Sequence, residues 1–389
     1  MTGTTSPRIC LAGKNQIAVD ALLHMIERGW KERLLVCPNR TDDGISCWQP
    51  SLLHFARELG IEVVTLDTLQ EMDNLIFLSL EFDQIVRPAA FKSDRLYNIH
   101  FSALPAYKGM YTSALPILHG AQLSGVTLHE IDPGIDTGPI IDQAIFGLPE
   151  TWTARDLYFK YIEQGLDLFC RQLDSLVAER PPLAHEQSTV GSTYFSKLAI
   201  NYGKVTINLH DTANGVARQL RAFSFREYQM PNVEGLEIGA WRILPERSLK
   251  KPGTLLERGE DRVTIATIDY DIQLERFRDW DWFRLNSHES TEGFDPSHIN
   301  FTDKMGWTPL IRATYAGNVA LLQRLLRSGA DPNKPNTNGT TPLMYACSGQ
   351  EPDRVMKVLL EYGADPKKLD RFERDLKKYL PERTARLVQ

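Results

Sequence analysis

An internal repeat near the C-terminus constrains the fold of this chain more than any other feature. Gly306-Trp307-Thr308-Pro309-Leu310-Ile311-Arg312-Ala313 returns 33 residues later as Gly339-Thr340-Thr341-Pro342-Leu343-Met344-Tyr345-Ala346. The stretch from Leu321 to Asn333 is echoed by Val355 to Asp365. Each copy reads as a turn followed by two antiparallel helices. Stacked units of this kind bury a shared core and need about three copies to do so. Two copies are clear, so the flanking pieces His298 to Lys304 and Lys368 to Arg386 are expected to act as partial caps.

Upstream the pattern is different. Arg8 to Gly13 reads as a strand, Gln16 to Glu27 as a helix with Ala18, Leu22, Leu23 and Ile26 at helical spacing, and Leu34 to Cys37 as a strand. A helix over Trp48 to Leu59 is closed by Gly60, and Ile61 to Leu66 and Asn74 to Leu80 are further strands. This alternation predicts an α/β fold with a Rossmann-like open parallel sheet. Only Gly13 stands where a dinucleotide-binding turn would carry three glycines, which disfavours a nicotinamide cofactor. A long amphipathic helix is expected over Thr153 to Leu176. From about 188 to 275 short β-like runs (Lys204 to Leu209, Gly239 to Leu244, Arg262 to Ile268) surround a helix at Thr212 to Phe223. That region reads as a small mostly-β module. The expected division is therefore 1–187, 188–290 and 291–389, which suits a chain of 389 residues.

Chemistry concentrates in two places. In Leu96 to Ser102, Asn98 and His100 lie two apart on a strand and share a face. About thirty residues on, the loop His129 to Pro139 carries Asp132, Asp136 and two glycines. An amide, an imidazole and a carboxylate at strand ends suit acyl transfer: the amide stabilises an oxyanion, the imidazole moves a proton or supports that oxyanion, and the carboxylate orients the imidazole. Taken singly, a strand His and an Asp-Pro-Gly turn are ordinary structural residues. The joint pattern carries the argument.

That pattern, Asn-x-His-x-Ser-x-x-Pro at 98–105, then Lys108-Gly109, then Asp-x-Gly-x-Asp-Thr-Gly at 132–138, resembles the signature of the folate-dependent formyltransferases, among them the nucleotide-sugar N-formyltransferases. The resemblance covers the first half of the chain. It implies Asn98, His100 and Asp136 as catalytic residues and 10-formyltetrahydrofolate as donor. It implies Leu80, Phe82, Ile131 and Asp132 as the surroundings of the pterin, and Lys108, Arg221 and Tyr228 as acceptor contacts. An arginine fork grips a diphosphate and an aromatic ring stacks on a base. The acceptor it implies is a dTDP-linked amino-dideoxy sugar for surface-polysaccharide (O-antigen) synthesis. A methionyl-tRNA-type formyltransferase and a non-catalytic scaffold are the alternatives. The C-terminal units resemble ankyrin repeats, whose ordinary role is to bind proteins. Trp307, standing before Thr-Pro-Leu, offers a second nucleotide-sugar site as the other reading.

Composition narrows the partners. A net charge of -6 fits nucleic-acid binding poorly. No apolar run approaches the roughly 20 residues needed to span a bilayer, and Met1 to Arg8 lacks a signal pattern, so a cytoplasmic protein is expected. Five scattered cysteines suggest neither a zinc site nor a disulfide framework. No metal is expected, and a homodimer through the β-rich module is.

Overall fold

The computed structural model describes residues 6–178, 180, 182–277 and 299–380. The expected boundary at 290 and the cap residues 298 and 381–386 lie outside the described residues. The chain forms two compact units, Met1–Arg40 with Ile61–Arg278, and Thr41–Gly60 with Asp279–Gln389.

In the first unit, apolar runs that alternate with helices build a seven-stranded sheet. Its strands are β1 (Arg8–Gly13), β2 (Leu34–Pro38), β3 (Glu62–Val63), β4 (Leu75–Leu80), β5 (Leu96–His100), β7 (Leu123–Glu130) and β8 (Ile140–Gly147), in the order β3-β2-β1-β4-β5-β7-β8. A short pair, β6 (Lys108–Gly109) with β9 (Tyr194–Phe195), lies outside it. The strands from β3 to β5 are parallel, as expected of a Rossmann-like core. At the other edge β7 runs antiparallel to both β5 and β8. The central parallel strands β1, β2 and β4 are buried on both faces and read as continuous apolar runs, with Leu75–Leu80 buried throughout, whereas the edge strand β3 is exposed. Of the expected strand Ile61 to Leu66 only β3 forms, because Thr65 caps a short helix, α3 (Leu66–Gln70), after α1 (Asn15–Glu27) and α2 (Leu52–Glu58). The four-residue α4 (Leu115–Leu118) precedes the long α5 (Ala154–Val177), which a Thr153/Asp156 capping box opens. Leu157, Tyr161, Leu168, Phe169 and Leu173 form its buried stripe.

Gly13 ends β1 for steric reasons. A Cβ there would lie 1.8 Å from the Leu80 carbonyl oxygen of β4, so only glycine lets the two strand ends meet.

The mostly-β module is a five-stranded antiparallel sheet, ordered β10-β11-β14-β13-β12. Its strands are β10 (Asn232–Val233), β11 (Leu236–Ile243), β12 (Leu255–Arg258), β13 (Arg262–Ala266) and β14 (Asp271–Arg276). Helix α6 (Ala213–Phe223) packs Val216, Leu220 and Phe223 against its Ile238, Val263, Ile265 and Leu274. The expected strand at Lys204 to Leu209 does not form. The Asn208 N–H and carbonyl bond the amide of Gln219 on α6, which satisfies that residue's backbone without a strand partner.

In the second unit the repeats fold as helix pairs: α7 (Pro309–Tyr315) with α8 (Val319–Arg327), and α9 (Pro342–Ser348) with α10 (Pro352–Glu361). Thr308 and Thr341 cap α7 and α9, accepting from Ile311 N–H (3.2 Å) and Met344 N–H (3.3 Å). Each following proline takes a position whose N–H would have no partner. Leu310, Leu322, Leu343 and Leu359 meet in one buried core. The turn before each pair is organised by one side chain: Asp303 accepts from Met305 and Trp307 N–H, and Asn336 from Asn338 and Thr340 N–H. Asp370 repeats the device with Phe372 and Arg374 N–H, ahead of α11 (Leu376–Tyr379). The described part of the expected cap thus repeats the turn of the two preceding units.

Along these turns lies Thr41–Gly60. The Cys47 carbonyl accepts from Thr337 Oγ1 at 2.8 Å, and Trp48 N–H donates to the Lys304 carbonyl at 3.2 Å. Phe55 packs on Phe372 in a tilted pair with centroids 4.6 Å apart, and Glu58 pairs with Arg374 at 3.3 Å. The helix expected at Trp48 to Leu59 is present as α2, and it belongs to the repeat unit.

Among the described residues no helix is long and apolar enough to cross a membrane.

Candidate active site

Asn98 and His100 occupy the carboxyl end of β5, where ligands of open α/β sheets sit. The antiparallel neighbour β7 sets Asn98 directly opposite His129 and His100 opposite Thr127. This register creates the first site contact. His129 Nδ1–H donates to the Glu130 carbonyl at 2.6 Å, which leaves Nε2 to accept from Asn98 Nδ2 at 3.0 Å. The network thereby assigns the Asn98 amide, and its second N–H remains for a ligand. Burial holds His129 down at about 4, with the Asp136 carboxylate opposing the shift, so its imidazole is neutral at pH 7.

Asp136 adopts a left-handed backbone, φ 56°, in the loop after β7. Its Oδ2 accepts from Gly109 N–H at 2.8 Å and lies 3.4 Å from His100 Nδ1. Oδ1 is 3.8 Å from His129 Nε2. His100 Nε2–H donates to the Tyr107 carbonyl at 2.8 Å. The carboxylate is thus held by the Gly109 N–H and lies beside the unprotonated nitrogens of two imidazoles, with its side chain 14% exposed. Gly109 is fixed by packing: φ is 87°, and a Cβ would lie 2.2 Å from the Phe195 carbonyl oxygen. Gln187 Nε2 donates to the carbonyls of Asp136 (2.9 Å) and Gly138 (2.8 Å) and pins the loop.

The structure brings Asn98, His100 and Asp136 together and adds His129. In sequence His129 marks only the start of a loop. Its signal was present, in a His that ends a buried run, but recognising it requires the antiparallel pairing of β7 with β5.

The remaining candidates are spread more widely. Leu80 is buried in the sheet. Phe82 and Ile131, both partly exposed, pack on the core formed by Cys10, Phe77 and Leu96, and they offer an apolar edge beside the Asn98 face. The Asp132 carboxylate accepts from Thr137 Oγ1 (2.7 Å) and Gly134 N–H (3.1 Å), so it shapes the loop. Lys108 is buried, with Nζ donating to Ser192 Oγ at 3.1 Å. Arg221 donates to the Trp152 carbonyl at 3.5 Å, and Tyr228 packs on Phe225 with centroids 4.8 Å apart. Trp307 lies in the repeat unit, 5.4 Å from the ring of Tyr315 and 5.0 Å from that of Tyr345. No group of three or more His, Cys, Asp and Glu suited to a metal occurs among the described residues.

Comparison with known proteins shows the family. The sequence profile of the formyl transferase family matches residues 77–173, which contain the whole cluster. That of ankyrin repeats, in three copies, matches residues 286–370. Methionyl-tRNA formyltransferase of Coxiella burnetii (strain CbuK_Q154) is 26% identical over 279 residues, 67% of this chain and 87% of that protein. Two solved structures are more similar. The N-formyltransferase of Helicobacter canadensis, in complex with folinic acid and dTDP-3-aminofucose, is 41% identical, with a TM-score of 0.64 over 70% of this chain and all of that one. WlaRD, a sugar 3N-formyl transferase solved with dTDP and 5-N-formyl-THF, is also 41% identical, with a TM-score of 0.65 over 71% of this chain and 99% of that one. With identity at that level across the full length of its structural relatives, and with the amide, imidazoles and carboxylate assembled at the strand ends, the chain belongs to the sugar N-formyltransferases.

Proposed function

We propose that this enzyme transfers the formyl group of 10-formyltetrahydrofolate to the amine of a dTDP-linked 3-amino-3,6-dideoxyhexose. The observation that carries the reading is the Asn98–His129–Asp136–His100 cluster, and the two relatives at 41% identity support both ligands. The neutral amine attacks the formyl carbon. Asn98 meets the developing oxyanion with the N–H that His129 leaves unused. Asp136 accepts the proton that the amine loses, and His100 Nδ1 shares it. The C–N10 bond then breaks, and N10 of tetrahydrofolate takes up a proton. Phe82 and Ile131 flank the pterin. Steady-state assay with a panel of dTDP-amino sugars tests this assignment, and formyl transfer to none of them ends it.

The tRNA alternative rests on relatives at 26% identity, and a chain of net charge -6 is a poor match for a polyphosphate acceptor. N-formylated dideoxy sugars suit surface-polysaccharide (O-antigen) synthesis, which a deletion strain with altered polysaccharide would support. The β-rich module is our candidate dimer surface, and light scattering in solution checks it.

For the repeats, the aromatic group of Trp307, Tyr315 (45% exposed) and Tyr345 favours a stacking site for a second nucleotide sugar. Isothermal titration compares wild type with Trp307→Ala: two nucleotide-sugar sites per chain in the wild type and one in the variant are expected, and an equal number of sites in both rules the repeat site out.

A further inference from the structure

Glu81 directly follows β4 at the ligand end of the sheet. Register sets Leu80 beside Ile99, so Glu81 lies next to the end of the Asn98–His100 strand. Its backbone is left-handed, φ 58°, and so is that of Asn15 at the start of α1, φ 64°. Such conformations are uncommon outside glycine and collect at ligand sites. The two side chains meet with a third. Tyr158 OH donates to Glu81 Oε2 at 3.0 Å and to Oε1 at 3.2 Å, and Asn15 Nδ2 donates to Oε2 at 3.3 Å. Asn39 holds the Glu81 carbonyl at 2.9 Å.

A carboxylate offers about four acceptor positions. The protein supplies one hydroxyl proton and one amide N–H, so Glu81 retains acceptor capacity in a site where water is partly excluded. Burial pushes Glu81 up to about 7, against the pull of Lys14 and the bonds from Tyr158 and Asn15. A group in that state is stabilised by a ligand that brings donors. The surroundings indicate which ligand. Tyr158 packs 5.5 Å from Phe225, which carries Tyr228 (55% exposed), and 6.2 Å from Phe101. Ile99, which alternates with Asn98 on β5, faces α5 at Gly165, and Phe101 meets the same glycine. The Glu81 group therefore lies on the α5 side of the sheet crest, across from the apolar Phe82/Ile131 edge.

We propose that Glu81, held by Asn15 and Tyr158, determines acceptor specificity by accepting hydrogen bonds from the hydroxyls that flank the amine of the aminosugar. The inference rests on the aminosugar reading above. A pyranose presents such hydroxyls on one edge and an apolar face for Phe225 and Tyr228.

The test uses the full chain. Calorimetry with the dTDP-amino sugar and steady-state kinetics compare wild type, Glu81→Gln and Glu81→Asp, with thermal unfolding as a folding control. Loss of a charge-assisted bond is expected to weaken acceptor binding and raise its KM about 10- to 100-fold in Glu81→Gln, with the donor KM unchanged. Wild-type acceptor KM is expected to rise as pH falls below about 7, and this dependence is expected to disappear in Glu81→Gln. An analogue lacking the flanking hydroxyls is expected to bind wild type and variant alike. Unchanged acceptor binding in Glu81→Gln overturns the proposal, and so does a raised donor KM. If Glu81→Gln unfolds, Glu81→Asp with the deoxy analogue decides: equal discrimination in wild type and Glu81→Asp overturns it. Failure of the wild type to bind any dTDP-amino sugar overturns the acceptor class and this role with it, whereas binding that survives substitution overturns this role alone.

Discussion

The catalytic unit and the repeat unit obtain order from opposite kinds of contact. In the repeats, structure is local and recurs, the turn at three positions and the Thr-Pro helix start at two. An Asx side chain bonds the backbone two and four residues on at Asp303, Asn336 and Asp370, a Thr-Pro pair opens a helix, and leucines face the next pair. In the catalytic unit the decisive bonds are long-range. Asn98 reaches His129, Gly109 reaches Asp136, and Gln187 reaches the Asp136 carbonyl. Repetition spreads stability over many similar contacts, whereas a reaction site gathers unlike groups that no single segment contains. Damage should therefore separate the two units: a site substitution is expected to remove rate without stability, and a repeat substitution stability without rate.

The largest effect is expected at the cluster. Asn98→Ala should lower kcat about 100- to 1000-fold, roughly 3–4 kcal/mol of barrier, with the unfolding midpoint unchanged. Asp136→Asn should cost a comparable factor, since it removes the proton acceptor and keeps the shape. A fall in thermal stability that matches the loss of rate would erase the contrast.

Next comes the repeat core. Leu322 is fully buried, so Leu322→Ala should destabilise the repeat unit by about 2–5 kcal/mol in denaturant titration. Formyl transfer should proceed at the wild-type rate under native conditions. A matching drop in kcat would show that the units are energetically joined.

A third probe uses pH. The unfolded chain protonates His129 at its ordinary value of 6.5, whereas the folded chain does so only at about 4. The unfolded state therefore gains the proton first as pH falls. Stability from this residue is complete above 6.5 and is lost between 6.5 and 4, with a slope of up to about 1.4 kcal/mol per pH unit. His129→Gln should flatten that part of the stability profile. An unchanged profile would mean that the residue titrates alike in both states.

The smallest effect is expected at a helix cap. Thr341→Ala removes the acceptor for Met344 N–H and should cost about 1 kcal/mol, confined to the repeat unit. Hydrogen exchange in α9 would register it, and protection in β5 should not change.

The same contrast explains what was legible beforehand. Helix pairs α7–α8 and α9–α10 were readable because each copy states its own caps and core. The turn at Asp370 was not legible because the segment after it lacks Thr-Pro-Leu, although Asp370 bonds the backbone as Asp303 and Asn336 do. The strands of the α/β sheet were readable as buried apolar runs, and Asn98, His100 and Asp136 through a spacing of residues that resembles a family. Lys204 to Leu209 failed as a strand because apolar content shows burial and leaves open what satisfies the backbone. At Asn208 the Gln219 amide does so.

By itself the sequence determined the kinds of element, the periodic repeat and the chemical groups available, because these depend on spacing within one segment. Only the tertiary structure decided that β7 runs antiparallel beside β5, which turns His129 toward Asn98. It also decided that Thr41–Gly60 packs with the repeats and that Asn15, Glu81 and Tyr158 meet at one point. Those facts depend on which distant segments become neighbours. That choice is made by the free energy of the whole packed unit, and no local stretch of side chains records it.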